Sequence, residues 1–344
     1  MSETRFLSGS LPFPAAPPAS VTAVLEEPRF DPVRHLALEM PRSSWSLADF
    51  GYDAETCAAT PSPVAVTAPF RILSEEGVAV LQEVLRGLLP YADRAAGRRL
   101  STFLRRSVQR SAFVRDLVSD PGLIAHLSAV AGTPLVAHSI PGMQSFVNYA
   151  PLEPGRSVDS WHVDSIGFDA VLMVSDPAGL SGGSFQYFTG TRAEAKALLG
   201  IEAEGELVLG HEAPLPPDRL VDAVFPAAGY AIFMQGDMVF HRAAPLLEPC
   251  ERMTLVAGFL AGALNFPDRT NTAHMQNWHD PDNLVDVARH AAWLSQQKLA
   301  ALTESLAYRA GDPRLDIAQA LEEAMADSLR VAAEMREAAA VRET

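Results

Sequence analysis

A mainly β protein with flanking helices, built around a jelly-roll sandwich or barrel, is the fold class this sequence predicts. Three observations carry that expectation. From about Val136 to Leu260, short β-rich runs alternate with Gly- and Pro-containing turns, the pattern of many short strands that fold as a sandwich or barrel. Tracts with helical hydrophobic spacing lie before and after this stretch. At 344 residues, with 48% hydrophobic and 20% charged, the chain is an ordinary globular protein able to bury a sizeable core.

Residues 1–65 are rich in Pro, Ser and Ala without a sustained period and are expected to form an irregular arm. A core with its preceding helices is expected over 66–266. Ser74 is a natural N-cap, Glu75 and Glu76 suit a helix N-terminus, and Val78, Leu81, Val84, Leu85 and Leu88 keep helical spacing up to Pro90. A second helical tract is expected from Arg98 to Val118, its Arg105, Arg106, Arg110 and Arg115 forming a solvated face or sending one guanidinium to an anionic substrate. The expected strands are Met143–Tyr149, Trp161–Asp164, Ala170–Val174, Ser184–Phe188, Leu207–Leu209, Val221–Phe225, Tyr230–Met234, Met238–Arg242 and Met253–Leu260. Residues 267–344 read as a C-terminal helical extension, packed on the core or on a second subunit of a homodimer.

The net charge of −15 argues against nucleic acid, whose binding rests on Lys and Arg at phosphates. Cys57 and Cys250 are the only cysteines, too few for a disulfide framework, so a reducing cytoplasm is expected. No apolar run is long enough to span a membrane. The acidic, Pro-rich start predicts no signal peptide.

Chemistry concentrates at Ser160-Trp161-His162-Val163-Asp164. Side chains two apart on an extended strand share a face, so His162 and Asp164 can converge while Val163 turns into packing. An imidazole and a carboxylate are two thirds of the facial triad that holds non-haem Fe(II), and His241 is the candidate third ligand. Arg252 and Thr254, again two apart, offer a guanidinium fork beside a hydroxyl, a receptor for a carboxylate. Each residue also has a bland reading. His162 and Asp164 could be a buried hydrogen-bonded pair, His241 a surface strand-end histidine, and Arg252 a partner of Glu248 or Glu251. Trp161 reads as packing, Cys250 as a small buried residue, and His274 and His279 as part of a lid or surface loop.

The order His-x-Asp, distal His, then Arg resembles the Fe(II)/2-oxoglutarate-dependent dioxygenases, and within them the phytanoyl-CoA dioxygenase-like family. Gln144 to Tyr149, the Gly182-Gly183 turn, Thr189 to Arg192 and the Gly236 to His241 turn are similar to that family's motifs; Arg192 stands where a His is usual. The resemblance covers roughly residues 68–262. It implies a double-stranded β-helix core, with His162, Asp164 and His241 on Fe(II), and 2-oxoglutarate held by Arg252 and Thr254 with Gln144, Asn148 and Tyr149 nearby. It further implies that O2 and 2-oxoglutarate are consumed, releasing succinate and CO2, while a small-molecule substrate is oxidised. Related halogenases have Gly or Ala in place of the carboxylate, so Asp164 favours hydroxylation, with desaturation, epoxidation or cyclisation open. The alternatives are a cupin-type metalloenzyme independent of 2-oxoglutarate and a non-catalytic jelly-roll binding protein.

Overall fold

The computed structural model describes residues 7, 17–24, 26–94, 102–151, 153, 155–200, 215–276, 282–306 and 314–342. Eight strands make the core: β1 (Ser145–Tyr149), β2 (Ser157–His162), β3 (Phe168–Met173), β4 (Phe185–Phe188), β5 (Leu220–Ala223), β6 (Tyr230–Met234), β7 (His241–Pro245) and β8 (Met253–Ala261). One sheet has the order β6-β3-β8-β1 and the other β5-β4-β7-β2, all pairs antiparallel. The chain crosses repeatedly between the two sheets, which is the jelly roll expected from the strand pattern and the double-stranded β-helix that the resemblance implies.

The period of two sorts the first sheet cleanly. Val147, Tyr149, Leu172, Phe233, Met253, Leu255 and Phe259 face outward into one apolar cluster. Phe146, Val171, Met173, Ile232, Met234 and Val256 face inward, meeting Phe185 and Tyr187 of the other sheet. β8 is central and covered on both sides, so Met253 through Leu260 are all buried.

Against the outer face lie α1 (Glu75–Leu88), α2 (Ala112–Val118) and α3 (Pro121–Ala131). α1 starts where expected: the Ser74 hydroxyl accepts from Gly77 N–H at 3.0 Å, with Glu75 and Glu76 in the first turn. It buries Leu81, Val84, Leu85 and Leu88 in the outer cluster; each such side chain contributes about 1.5–3 kcal/mol.

Several expected bounds are corrected. The tract expected to be helical from Arg98 is a strand at Thr102–Arg105, paired with β1, and only then the helical turns Ser107–Arg110 and Ala112–Val118. Tertiary pairing overrides helical spacing there. Arg106 is not on a solvated face. It is buried at a positive φ of 61° and pairs with Asp286 at 2.5 Å. Within the stretch expected to be an irregular arm, Ser44–Ser46 and Val64–Thr67 pair with each other, and Val66 pairs with β6. The strand expected at Leu207–Leu209, and the residue His279, lie outside the described residues.

Past the barrel, α4 (Asp282–Ser305) and α5 (Arg314–Arg342) follow the short helix Thr272–Gln276, which carries His274. Val287 and Ala291 of α4 and Val331 of α5 pack with Ile140, Met143 and Ile166. The C-terminal extension is therefore seated on its own core.

Candidate metal centre

β2 and β7 pair so that His162 stands opposite His241, with a bulge between His241 and Ala243. The two rings are 4.1 Å apart. β2 ends at His162, so Asp164 is not on the strand as expected but in the turn just past it. Its N–H donates to Gly236 O at 2.8 Å, tying it to the turn that leads to His241.

Each ring directs Nδ1 at a backbone carbonyl: His162 at Ser160 O (2.6 Å) and His241 at Val239 O (2.8 Å). A carbonyl can only accept, so the ring proton of the neutral imidazole sits on Nδ1 and Nε2 keeps its lone pair. Both Nε2 atoms face Asp164, at 3.4 Å from Oδ1 and 3.4 Å from Oδ2 respectively. Burial, then the neighbouring His162, push His241 down to about 4 against the opposing pull of Asp164, so it is neutral at pH 7. Three lone-pair-bearing atoms turned on one another repel; a cation among them removes the repulsion. An ion about 2.1 Å from each ligand atom needs them roughly 3–3.5 Å apart; both Nε2–carboxylate distances fall in that range, and the three ligand atoms lie within 4.8 Å of one another. The donor set, two imidazoles and a carboxylate, fits iron.

Gly236 is needed for this approach. A Cβ there would collide with Asp164 Oδ2 and Asp169 Oδ2. Asp169, on β3, was not singled out from the sequence. It is fully buried, and burial first, then the charge of Asp164 beside it, hold its carboxyl well above the usual range. A lone acid inside the apolar run Phe168–Met173 was the available signal. Asp159 was missed as well. Its Oδ2 lies 3.5 Å from His162 Nε2, three residues away along β2. The bulge puts both on one face, and bulges are not readable from side-chain alternation.

Arg252 is buried just before β8, in phase with Thr254. Its Nε donates to Gly183 O at 3.0 Å, reaching the other sheet, while Nη1 has no hydrogen-bond partner among the described residues. Burial lowers it to about 10, which leaves it charged at neutral pH, with Asp159 favouring that charge. A buried cation with a spare donor is costly unless an anion meets it. Gly183, at φ +69°, leaves room for this side chain: a Cβ would sit 3.1 Å from Arg252 Cδ. The Glu251 carboxylate pairs instead with Arg86 at 2.7 Å.

Asn148 is buried opposite Thr254, and its Oδ1 has no partner among the described residues. It shares the inward face with Phe146, as expected. Two other expected site residues are placed elsewhere. Gln144 ends a short helical turn and donates to Ser119 Oγ at 2.8 Å. Tyr149 faces outward, its hydroxyl donating to Leu85 O at 2.8 Å. Odd and even positions of β1 point to opposite sides, so Tyr149 and Asn148 cannot both enter the barrel. Trp161 stacks on Phe240 at 5.3 Å, a packing role as expected. Arg192 is exposed and opens the helix Arg192–Leu198. Cys250 is half-buried rather than buried.

A family profile described as Halogenase D matches residues 70–280, more than half of the chain. No curated protein matches. Among solved structures, SnoN from nogalamycin biosynthesis, in complex with Fe3+, alpha ketoglutarate and nogalamycin RO, is 19% identical with a TM-score of 0.44 over 60% of this chain and 82% of its own. HygX from Streptomyces hygroscopicus, with nickel and 2-oxoglutarate bound, is 16% identical, TM-score 0.38, over 60% and 87%. EctD from S. alaskensis with bound Fe is 17% identical, TM-score 0.39, over 70% and 85%. The profile encloses the His162–Asp164 and His241–Arg252 motifs and extends past the barrel into the following segment. The chain belongs to the Halogenase D family, among the Fe/2-oxoglutarate enzymes.

Proposed function

We propose that the chain is a non-haem Fe(II)/2-oxoglutarate oxygenase that hydroxylates a small organic molecule, despite the halogenase name of its family. The observation that carries the reading is Asp164 facing both histidine Nε2 atoms at 3.4 Å. In a halogenating relative that place is open to halide; here a carboxylate fills it.

In this reading His162, Asp164 and His241 hold Fe(II), and Arg252, with Thr254 and Asn148 beside it, holds the far carboxylate of 2-oxoglutarate. Iron and 2-oxoglutarate, when bound, would supply the oxidising power. The chain's own contribution is binding and exclusion. The two Nδ1–carbonyl bonds fix the ring tautomers before metal arrives. The spare Nη1 donor of Arg252 gives the co-substrate one orientation. The inward face of Phe146, Val171, Met173 and Val256 keeps water out.

The test is an anaerobic titration of metal-free protein with Fe(II) and then 2-oxoglutarate, with a His162→Ala control. A weak visible band that needs both components and vanishes in the control is expected. Iron binding without the band would turn the reading to a cupin-type metalloenzyme. Chlorinated product in the presence of chloride, with Asp164 intact, would overturn hydroxylation.

Two further expectations belong here. Ile317, Leu321, Met325 and Leu329 recur every four residues along α5 and are exposed, which supports a homodimer through the C-terminal helices; light scattering would read its mass. A reducing cytoplasm stays our proposal for the compartment, on the low cysteine count alone. No described helix is long and apolar enough to cross a membrane.

A further inference from the structure

We infer that Arg269, in the segment after the barrel, is the positioning residue for both ligand-bearing turns, and that it makes the C-terminal extension part of the metal centre. This rests on the metal reading of His162, Asp164 and His241. Two of those ligands depend on turns. Asp164 lies past the end of β2, where no ladder holds it, and His241 follows the turn that starts at Gln235. Arg269 grips that turn on both sides of Gly236. Its Nε donates to Asp237 Oδ2 at 2.7 Å, Nη2 to Asp237 Oδ1, and Nη1 to Gln235 Oε1 at 2.6 Å.

The residue held between them, Gly236, gives its carbonyl to the N–H of Asp164. Two positions after Arg269, Asn271 N–H donates to Ser165 O at 2.8 Å, next to Asp164. One short segment thus fastens both turns. The planar fork suits the task, since one guanidinium can bond a carboxylate twice and an amide oxygen once. The guanidinium lies over the Phe168 ring, 5.7 Å from its centroid. From the far side, Asp268 meets Arg330 of α5 and His290 of α4, each at 3.2 Å.

The test uses Co(II) alone, read by its d–d absorption, on the full chain. Arg269→Ala is expected to raise the Co(II) dissociation constant about 10- to 100-fold, the usual effect of removing a residue that orients ligands, and to change the band shape. Arg269→Lys keeps the charge without the fork and should recover only part. Asp237→Asn, nearly isosteric, should weaken binding in the same direction and carries the test if Arg269→Ala does not fold. Arg330→Ala loosens α5 without touching the turn and should bind Co(II) as the native protein does. A folded Arg269→Ala protein with native affinity and spectrum would overturn the inference, as would equal weakening in Arg330→Ala. Native protein that binds no Co(II) would remove the metal reading and this inference together.

Discussion

Among the described residues, two clusters of two histidines and an aspartate are buried, and one of the two is built for a metal. In the first, His162 and His241 spend Nδ1 on carbonyls and turn both Nε2 atoms on Asp164. In the second, below the C-terminal helices, His138 and His290 stack at 5.3 Å and use all four ring nitrogens. His138 Nδ1 accepts from Ile140 N–H and its Nε2 meets Thr270 Oγ1; His290 Nδ1 meets Ser139 Oγ at 2.6 Å and its Nε2 meets Asp268 Oδ2. Burial would push the Asp268 carboxyl up, but His290 and Thr270 outweigh it and hold it below the usual range. Residue type and burial are the same in both. What differs is whether the lone pairs are already used, and that separates a ligand set from a structural network.

Exchanging residues between the two roles gives the largest contrast. His241→Ala should abolish iron retention and reduce turnover to background, with the apo fold kept. His290→Ala should keep iron stoichiometry and instead cost about 1–3 kcal/mol, since it leaves buried partners unmet. Iron analysis and thermal melts on both variants check this; loss of iron in His290→Ala would break the distinction.

Acid should act on the first cluster through His241. Its folded value, about 4, lies below the ordinary 6.5. Between these values the unfolded chain binds the proton and the folded one does not, so stability of metal-free protein falls as pH drops from 6.5 and levels off near 4. The full effect is about 3 kcal/mol. Urea midpoints across this range, compared with His241→Gln, should show a shallower decline in the variant. His138, pushed well below its usual value by burial and by His290, adds a decline of the same sign from the second cluster.

Arg252→Ala sharpens the contrast at the co-substrate end. Losing a charge-assisted contact of about 1.5–3 kcal/mol should raise KM for 2-oxoglutarate about 10- to 100-fold, with partial recovery at excess co-substrate. An unchanged KM would remove Arg252 from that role. Tyr149→Phe is the smallest change. The hydroxyl serves Leu85 O in the outer layer, so about 1 kcal/mol of stability should go while KM stays native.

The sequence by itself determined the jelly-roll class and, through a family resemblance, pointed to a metal centre. A short β-rich run between Gly229 and Gly236 marked Tyr230–Met234 with its observed bounds, the Ser74 cap located α1, and the order of His162, Asp164, His241 and Arg252 carried the resemblance to one enzyme class. Local physics is enough for these, because face, cap and residue type are local properties. Tertiary structure alone decided the rest. Pairing with β1 made Thr102–Arg105 a strand against its helical spacing. The bulge opposite His241 brought Asp159 into the site, and the ending of β2 at His162 moved Asp164 into a turn. Strand parity sent Tyr149 outward, and a short helix took Gln144 to Ser119. The grip of Arg269 on Asp237 joins residues 32 apart in sequence. Which partner a buried group meets is set by chain segments distant in sequence, so the same His and Asp residues read alike in the sequence and become a metal centre in one place and a structural clamp in the other.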